Sequence, residues 1–203
     1  MRFWASVSLA LVFGAATAGR FAQTPGTAST TRKPDVHRRF NEFTLAGLRP
    51  GRDKLAKAIR MFGRPDTRSA DRQSAGWSFE RAGGAFYLNL DLDKADVVQF
   101  IRVSTNDGPS GVNLAKHTGL ENSSWGSGRG LALGATGSRV LQLYGDPDSR
   151  SPSAKDGRKL ELLYYAFDWA GSDVPQVMEV LCTVEDDGKP GRVVEITLAA
   201  PSL

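Results

Sequence analysis

Two stretches of this chain end in the same way. "AIRMFGRPDT" at 58–67 and "VLQLYGDPDS" at 140–149 both read apolar-x-x-aromatic-Gly-x-Pro-Asp, 82 residues apart (145 − 63). In the first, Leu55, Ile59 and Phe62 fall at i, i+4 and i+7, which is one face of a helix. In the second, Val140, Leu141 and Tyr144 supply the apolar face. Asp53 and Thr136 are the candidate N-caps, each just before its helix. Gly63 and Gly145 suit the left-handed position that closes a helix, and Pro65 and Pro147 forbid continuation. The chain must therefore stop and reverse twice, by the same local device.

Strand-like runs follow each stop. After the first come "GWSFER", "AFYLNLDLD" and "VVQFIRVS"; after the second come "LELLYYAFDW", "QVMEVLCTVE" and "RVVEITLAA". The turn glycine Gly134 precedes the second helix much as Gly51 precedes the first, with one residue of difference in the turn. Each unit reads α-β-β-β, an internal repeat over 43–104 and 130–203 joined by a glycine- and serine-rich connection at 105–129, with a possible short helix at Leu114–His117. One helix on three strands buries little, so two copies packed together make better physical sense. The expected fold class is α+β, with tandem repeats placing their helices on one face of an antiparallel sheet.

The N-terminal region differs in kind. Arg2, an apolar run from Phe3 to Phe13 and the small-x-small Ala16-Thr17-Ala18 read as a secretory signal over 1–18. The run is shorter than the roughly 20 residues that span a bilayer, so an uncleaved membrane anchor is the lesser alternative. Residues 19–42, rich in Thr, Ser and Pro, have linker composition. The expected location is secreted or periplasmic. Cys182 is the sole cysteine, so no internal disulfide can form, and it lies far from the signal, so it offers no lipid anchor. Formal charge runs +4, +4, 0 and −4 over 1–42, 43–104, 105–129 and 130–203, which sums to the overall +4. That division argues against a uniform nucleic-acid-binding face.

Gly130-Leu131-Ala132-Leu133-Gly134-Ala135-Thr136, a short helix, Tyr144-Gly145-Asp146-Pro147 and three strands resemble the SmpA/OmlA (BamE-like) envelope proteins. They also resemble the wider group related to β-lactamase inhibitor protein. The first unit matches more loosely, through Gly51, Ile59, Phe62-Gly63 and Pro65. The resemblance implies helices on one sheet face and a protein-binding role outside the cytoplasm; a tandem pair is similar to the inhibitor arrangement. It transfers no partner-contacting residue.

Chemistry-bearing clusters are few. His37 falls in the linker and His117 in the connection; pairing His117 with Cys182 as base and nucleophile conflicts with a cysteine inside an apolar strand. Asn89, Asp91, Asp93 and Asp96 could offer oxygen to Ca²⁺, but the loop lacks the glycine and distal glutamate of an EF-hand. "GSGRG" at 126–130 could cradle a phosphate, yet it leads into Leu131-Ala132-Leu133 rather than directly into a helix. No catalytic, metal or cofactor residue is assigned. The strand aromatics are more suggestive, and Tyr87, Tyr165, Phe167 and Trp169 are the expected protein-binding set. The reading is a non-enzymatic module for a protein partner of unspecified identity, with the oligomeric state left unassigned. The alternatives are an inhibitor of a secreted hydrolase, a hydrolase using Asp91 and Asp93, or a structural envelope component.

Overall fold

The computed structural model describes residues 40–81, 84–106, 125–155, 157–171, 175 and 177–200, all within one compact unit, Val36–Leu203. The proposed signal, most of the linker, His37, His117 and the possible helix at Leu114–His117 lie outside the described residues. Helix α1 (Leu55–Phe62) precedes β1 (Thr67–Arg68), β2 (Ser74–Arg81), β3 (Gly84–Leu92) and β4 (Val98–Asn106). Helix α2 (Gly137–Tyr144) precedes β5 (Ser149–Lys155), β6 (Arg158–Ala166), β7 (Val177–Val184) and β8 (Pro190–Ala199). The strands form one antiparallel sheet in the order β1-β2-β3-β4-β8-β7-β6-β5, so the fold is α+β. The last strands of the two halves meet in the middle, with Ile101 opposite Leu198 and Val103 opposite Ile196.

Among the described residues each half holds four strands where the sequence suggests three. The additional ones, β1 and β5, are the two edges. β1 has only two residues, and β5 reads SRSPSAK, with no apolar alternation and a proline at 152. A proline and charged residues are what an edge tolerates, and they blunt pairing with other chains.

The core lies between the helices and one sheet face. Trp77, Leu88, Val103, Ile196, Val180 and Leu163 stand in register across six strands, all buried. α1 covers this layer with Leu55, Ala58 and Phe62, while Ile59 is 38% exposed and so lies off the buried face expected for it. α2 contributes Val140 and Tyr144; Leu141 is half-buried. Thr136 caps α2, its side chain accepting from the Arg139 N–H at 3.2 Å. Asp53 does not cap α1. The cap position is Lys54, and the Asp53 carboxylate instead accepts from the Arg49 N–H (2.7 Å) and Lys57 (2.7 Å).

The Gly-x-Pro-Asp segments do the same work twice. Gly63 (φ 82°, ψ −170°) and Gly145 (φ 81°, ψ −162°) close the helices with N–H bonds to Ile59 and Leu141. This is positive φ with extended ψ, a region essentially reserved for glycine. The carbonyl of Gly63 accepts from the Trp77 indole at 3.1 Å, and that of Gly145 from the Tyr165 hydroxyl at 3.1 Å. Past each proline, the Asp66 N–H donates to Gly76 and the Asp148 N–H to Tyr164, both at 2.8 Å. Their carboxylates accept from the N–H of Ser78 (2.7 Å) and of Ala166 (2.8 Å). The motif therefore clamps a helix end to the second strand of its own half. Aromatic pairs Phe62–Trp77 (6.0 Å) and Tyr144–Tyr165 (5.8 Å) fill the corner.

Two outcomes are expected. A Cβ on Gly63 meets nothing within 4 Å, so Gly63→Ala isolates the backbone cost. It should lower unfolding free energy in urea by about 1–3 kcal/mol. The Asp66 carboxyl is held below its usual 3.8, chiefly by the Ser78 N–H and then by the Ser78 hydroxyl. Its contribution is therefore complete above that value and is lost as pH falls through the lowered one. Urea titrations from neutral to acid pH should show Asp66→Asn less acid-sensitive than the wild type below pH 3.8.

Candidate functional site

The sheet has a second face, which neither α1 nor α2 covers. One row across it is Tyr87, Ser104, Glu195, Leu181 and Leu162, in register from β3 to β6. The adjacent rows bring in Tyr164, level with Glu179 and Thr197, and Phe100, level with Ala199 and Val177. Tyr87, Phe100, Tyr164, Leu162 and Leu181 are half-buried, so large apolar groups stand on a face without a helix layer among the described residues.

Glu195 lies near the middle, 8% exposed, and binds Arg102 (Nε, 3.2 Å) and Lys155 (Nζ, 2.5 Å). Arg102 in turn covers the Phe100 ring at 5.0 Å. The Lys155 contact reports on the shape of the sheet. Ser151, not Lys155, is level with Glu195 through Leu162 and Leu181. In a flat sheet Lys155 would stand roughly 14 Å across and roughly 13 Å along the strands from Glu195. No lysine–glutamate pair bridges that diagonal, so the sheet coils and brings the β5 corner toward the centre of this face.

The expected binding set is split by this geometry. Tyr87 lies on the helix-free face. Tyr165 (3% exposed) and Phe167 (2%) are core residues under α2, so neither can meet a partner. Tyr164 takes the helix-free side instead, because adjacent strand residues alternate. Burial pushes the Tyr165 hydroxyl's pKa well up, consistent with its donating to Gly145 rather than titrating. Trp169 is 51% exposed, but in a 3-10 turn (Asp168–Ala170) beyond β6 rather than in a strand. Phe100 and Tyr164 are aromatics of the helix-free face that the expected set does not include. For Phe100 the signal was present in the alternation of "VVQFIRVS", with Ile101 turned inward; for Tyr164 it was not, since every residue from Leu162 to Phe167 is apolar.

The other candidates resolve into structural roles. Gly134 has φ 84°, and its N–H donates to Val193 (2.8 Å), tying the turn before α2 to β8. Asp93 accepts from the N–H groups of Ala95 (2.8 Å) and Val97 (2.9 Å) and from Gln99 (3.1 Å), so it shapes the β3–β4 turn. Asp96 pairs with Arg68 at 3.2 Å, while Asn89 and Asp91 are exposed. Among the described residues no group of three or more His, Cys, Asp or Glu is placed to hold a metal ion. Cys182 is buried against the core; burial, then Glu161, push its thiol up to about 12, far from nucleophile behaviour at neutral pH.

The 126–130 loop does hold an anion, one supplied by the chain itself. Glu42, 2% exposed, accepts from the Arg129 N–H (3.0 Å) and the Tyr144 hydroxyl (2.7 Å) on one oxygen. The other oxygen accepts from the N–H groups of Phe43 (2.8 Å) and Thr44 (3.1 Å). Ser127 completes the knot, 2.7 Å from the Tyr144 hydroxyl and accepting from the Leu131 N–H. The Ser127 N–H is bonded to Leu131, that of Gly128 to Thr44 and that of Gly130 to Ser127, so the N–H groups from Ser127 to Gly130 are all engaged within the chain. Burial, then the charge of Glu42, raise the pKa of Tyr144 well above its ordinary value. Glu42, the last residue of the stretch read as linker, is thus bonded to the 126–130 loop and to α2, and the Phe40 ring lies under the Arg129 guanidinium at 4.3 Å.

No protein-family model and no curated protein match the chain. Among solved structures it is similar to a DUF4309 family protein of Bacillus subtilis, at 13% identity and TM-score 0.42, covering 79% of this chain and 88% of the other. It is also similar to a cysteine-rich secretory protein of Staphylococcus aureus, at 9% identity and TM-score 0.40, covering 81% of this chain and 49% of the other. A third similarity is to a Streptococcus mutans protein provisionally named a β-lactamase inhibitor protein, at 13% identity and TM-score 0.23, covering 78% and 89%. At such identities no residue role passes from them to this chain.

Removing the internal anion should be severe. Glu42→Ala strips a buried hydroxyl and three backbone N–H groups of their acceptor and should cost about 3–5 kcal/mol in denaturant unfolding. Glu42→Gln keeps an acceptor oxygen and should cost less.

Proposed function

We propose that this protein is an exported, non-enzymatic module that grips a protein partner across the helix-free face of its sheet. The observation that supports the reading is the placement of Tyr87, Phe100, Tyr164, Leu162 and Leu181 there, large apolar groups around the Arg102–Glu195–Lys155 cluster. A sheet needs only one covered face to make a core, and here α1 and α2 supply it. Aromatic anchors beside desolvated charge are the groups that dominate protein interfaces, often with 2 kcal/mol or more lost on truncation at about a handful of positions. The coiled β5 corner would make the second half of the face concave, a shape that suits a protruding partner element. Inhibition of a secreted hydrolase is the special case in which that partner is an enzyme.

The reading includes two further elements. The halves would be copies of one ancestral unit, since both clamps use the same four positions and the two final strands pair at the centre. Residues 1–18 would be a cleaved signal, placing the mature chain in the periplasm or outside the cell.

The test is capture from an envelope extract with the wild type and with Tyr87→Ser/Phe100→Ser/Tyr164→Ser, both checked for the same melting temperature. A stoichiometric protein should be retained by the wild type and lost by the triple variant. Equal retention by both, or nothing retained by either, would sink the reading.

A further inference from the structure

The opposite side of the molecule carries a charge that the fold does not require. Residues 49–64, the turn before α1 and α1 itself, hold Arg49, Arg52, Lys54, Lys57, Arg60 and Arg64 against a single acid, Asp53, a net +5 (6 − 1). Asp53 is already bonded to Lys57 and the Arg49 N–H. Arg52, Lys54, Arg60 and Arg64 are exposed. α2 is an internal control, since it covers the same sheet face and ends in the same clamp. Shifted by 82 residues, Lys54, Arg60 and Arg64 correspond to Thr136, Gln142 and Asp146, and the window 131–146 has net charge zero, with one Arg and one Asp. A helix can do this structural work without the cations.

Apolar groups share the surface. Ile59 (38% exposed) and Met61 (46%) stand out where their counterparts Leu141 and Leu143 are half-buried. Met61 reaches the Gly47 turn, where Lys57 also binds the Gly47 carbonyl. Arg60 lies opposite the buried Leu55–Ala58–Phe62 stripe, with Ile59 and Met61 about 100° to either side. A helix that inserts into a bilayer places its apolar groups at the outward pole and its cations at the flanks. α1 has a cation, Arg60, at that pole and its exposed apolar groups at the flanks, which suits a polypeptide rather than lipid.

We infer that the α1 surface, through Lys54, Lys57, Arg60 and Arg64 flanked by Ile59 and Met61, docks an acidic polypeptide segment carrying apolar side chains. Carboxylates would meet the central cations, and apolar residues the two shoulders. The surface lies across the sheet from the Tyr87–Tyr164 face, so the inference does not depend on that face, and one molecule could hold two partners at once.

The probe is a fluorescein-labelled peptide of alternating glutamate and leucine, read by anisotropy with the full chain at rising salt. Saturable binding that weakens as salt is added is expected. Lys54→Thr/Arg60→Gln/Arg64→Asp installs residues that α2 already accommodates; it should keep the melting temperature and weaken binding at least about tenfold. Lys94→Thr/Lys159→Thr removes two exposed cations elsewhere and should bind as the wild type does. No binding by the wild type, or equal loss in both variants, overturns the inference. So does charge-dependent binding to phosphatidylserine vesicles without binding to the peptide, which would assign the surface to a membrane.

Discussion

Everything in this molecule hangs on the antiparallel pairing of β4 with β8. Each half alone is an eight-residue helix over a four-stranded meander, with its last strand unpaired along one edge and its core layer open at the side. Pairing the two last strands satisfies both backbone edges with one ladder and joins the apolar rows end to end. Val103 then meets Ile196, and Ile101 meets Leu198. The strands left as edges, β1 and β5, are the two least apolar in the sheet, so the strongest strand-formers sit inside and the weakest outside.

Local features of this arrangement are legible in the sequence to the extent that local physics decides them. Gly63 and Gly145 stop their helices because the required φ and ψ are open only to glycine, whatever the tertiary context. Thr136 caps its helix as its position suggests, whereas Asp53 is drawn away by a lysine one turn on and an N–H upstream. The edge strand β5 is invisible to pattern because an edge is selected for poor pairing rather than for apolar alternation.

Face assignment is where local reasoning stops. In Leu162–Phe167 every residue is apolar, so alternation alone cannot say which parity faces the helices, and a one-residue error exchanges Tyr165 for Tyr164. The decision rests on two tertiary contacts. The Tyr165 ring packs against Tyr144 of α2, and its hydroxyl reaches the Gly145 carbonyl. Glu42 is a harder case. Its neighbours at 43 and 44 donate only backbone N–H groups, which any residue supplies, and its other donors stand far off at 129 and 144, so no local residue pattern announces a buried carboxylate. A carboxylate this deep is tolerable only where its donors are all in place, which ties residues 42–44, the 126–130 loop and α2 together.

The two helices lie on the same sheet face and carry very different outward residues. α1 and α2 share a fold position, a stop signal and an aromatic corner, yet differ by five units of charge over matching 16-residue windows. Packing constrains the inward stripe in both: Leu55 and Ala58 in one, Val140 and Tyr144 in the other. Among the outward cations Lys57 holds Asp53 and the Gly47 carbonyl, whereas Arg60 is exposed where α2 carries Gln142, so the fold position itself does not call for a cation there. The same reasoning applies to the sheet. Residues facing the helices are fixed by the core, whereas Tyr87, Phe100 and Tyr164 could be threonine or serine at no cost to that layer. Both departures from what the core demands lie on surfaces, on opposite sides of one sheet, where packing leaves the choice of residue open.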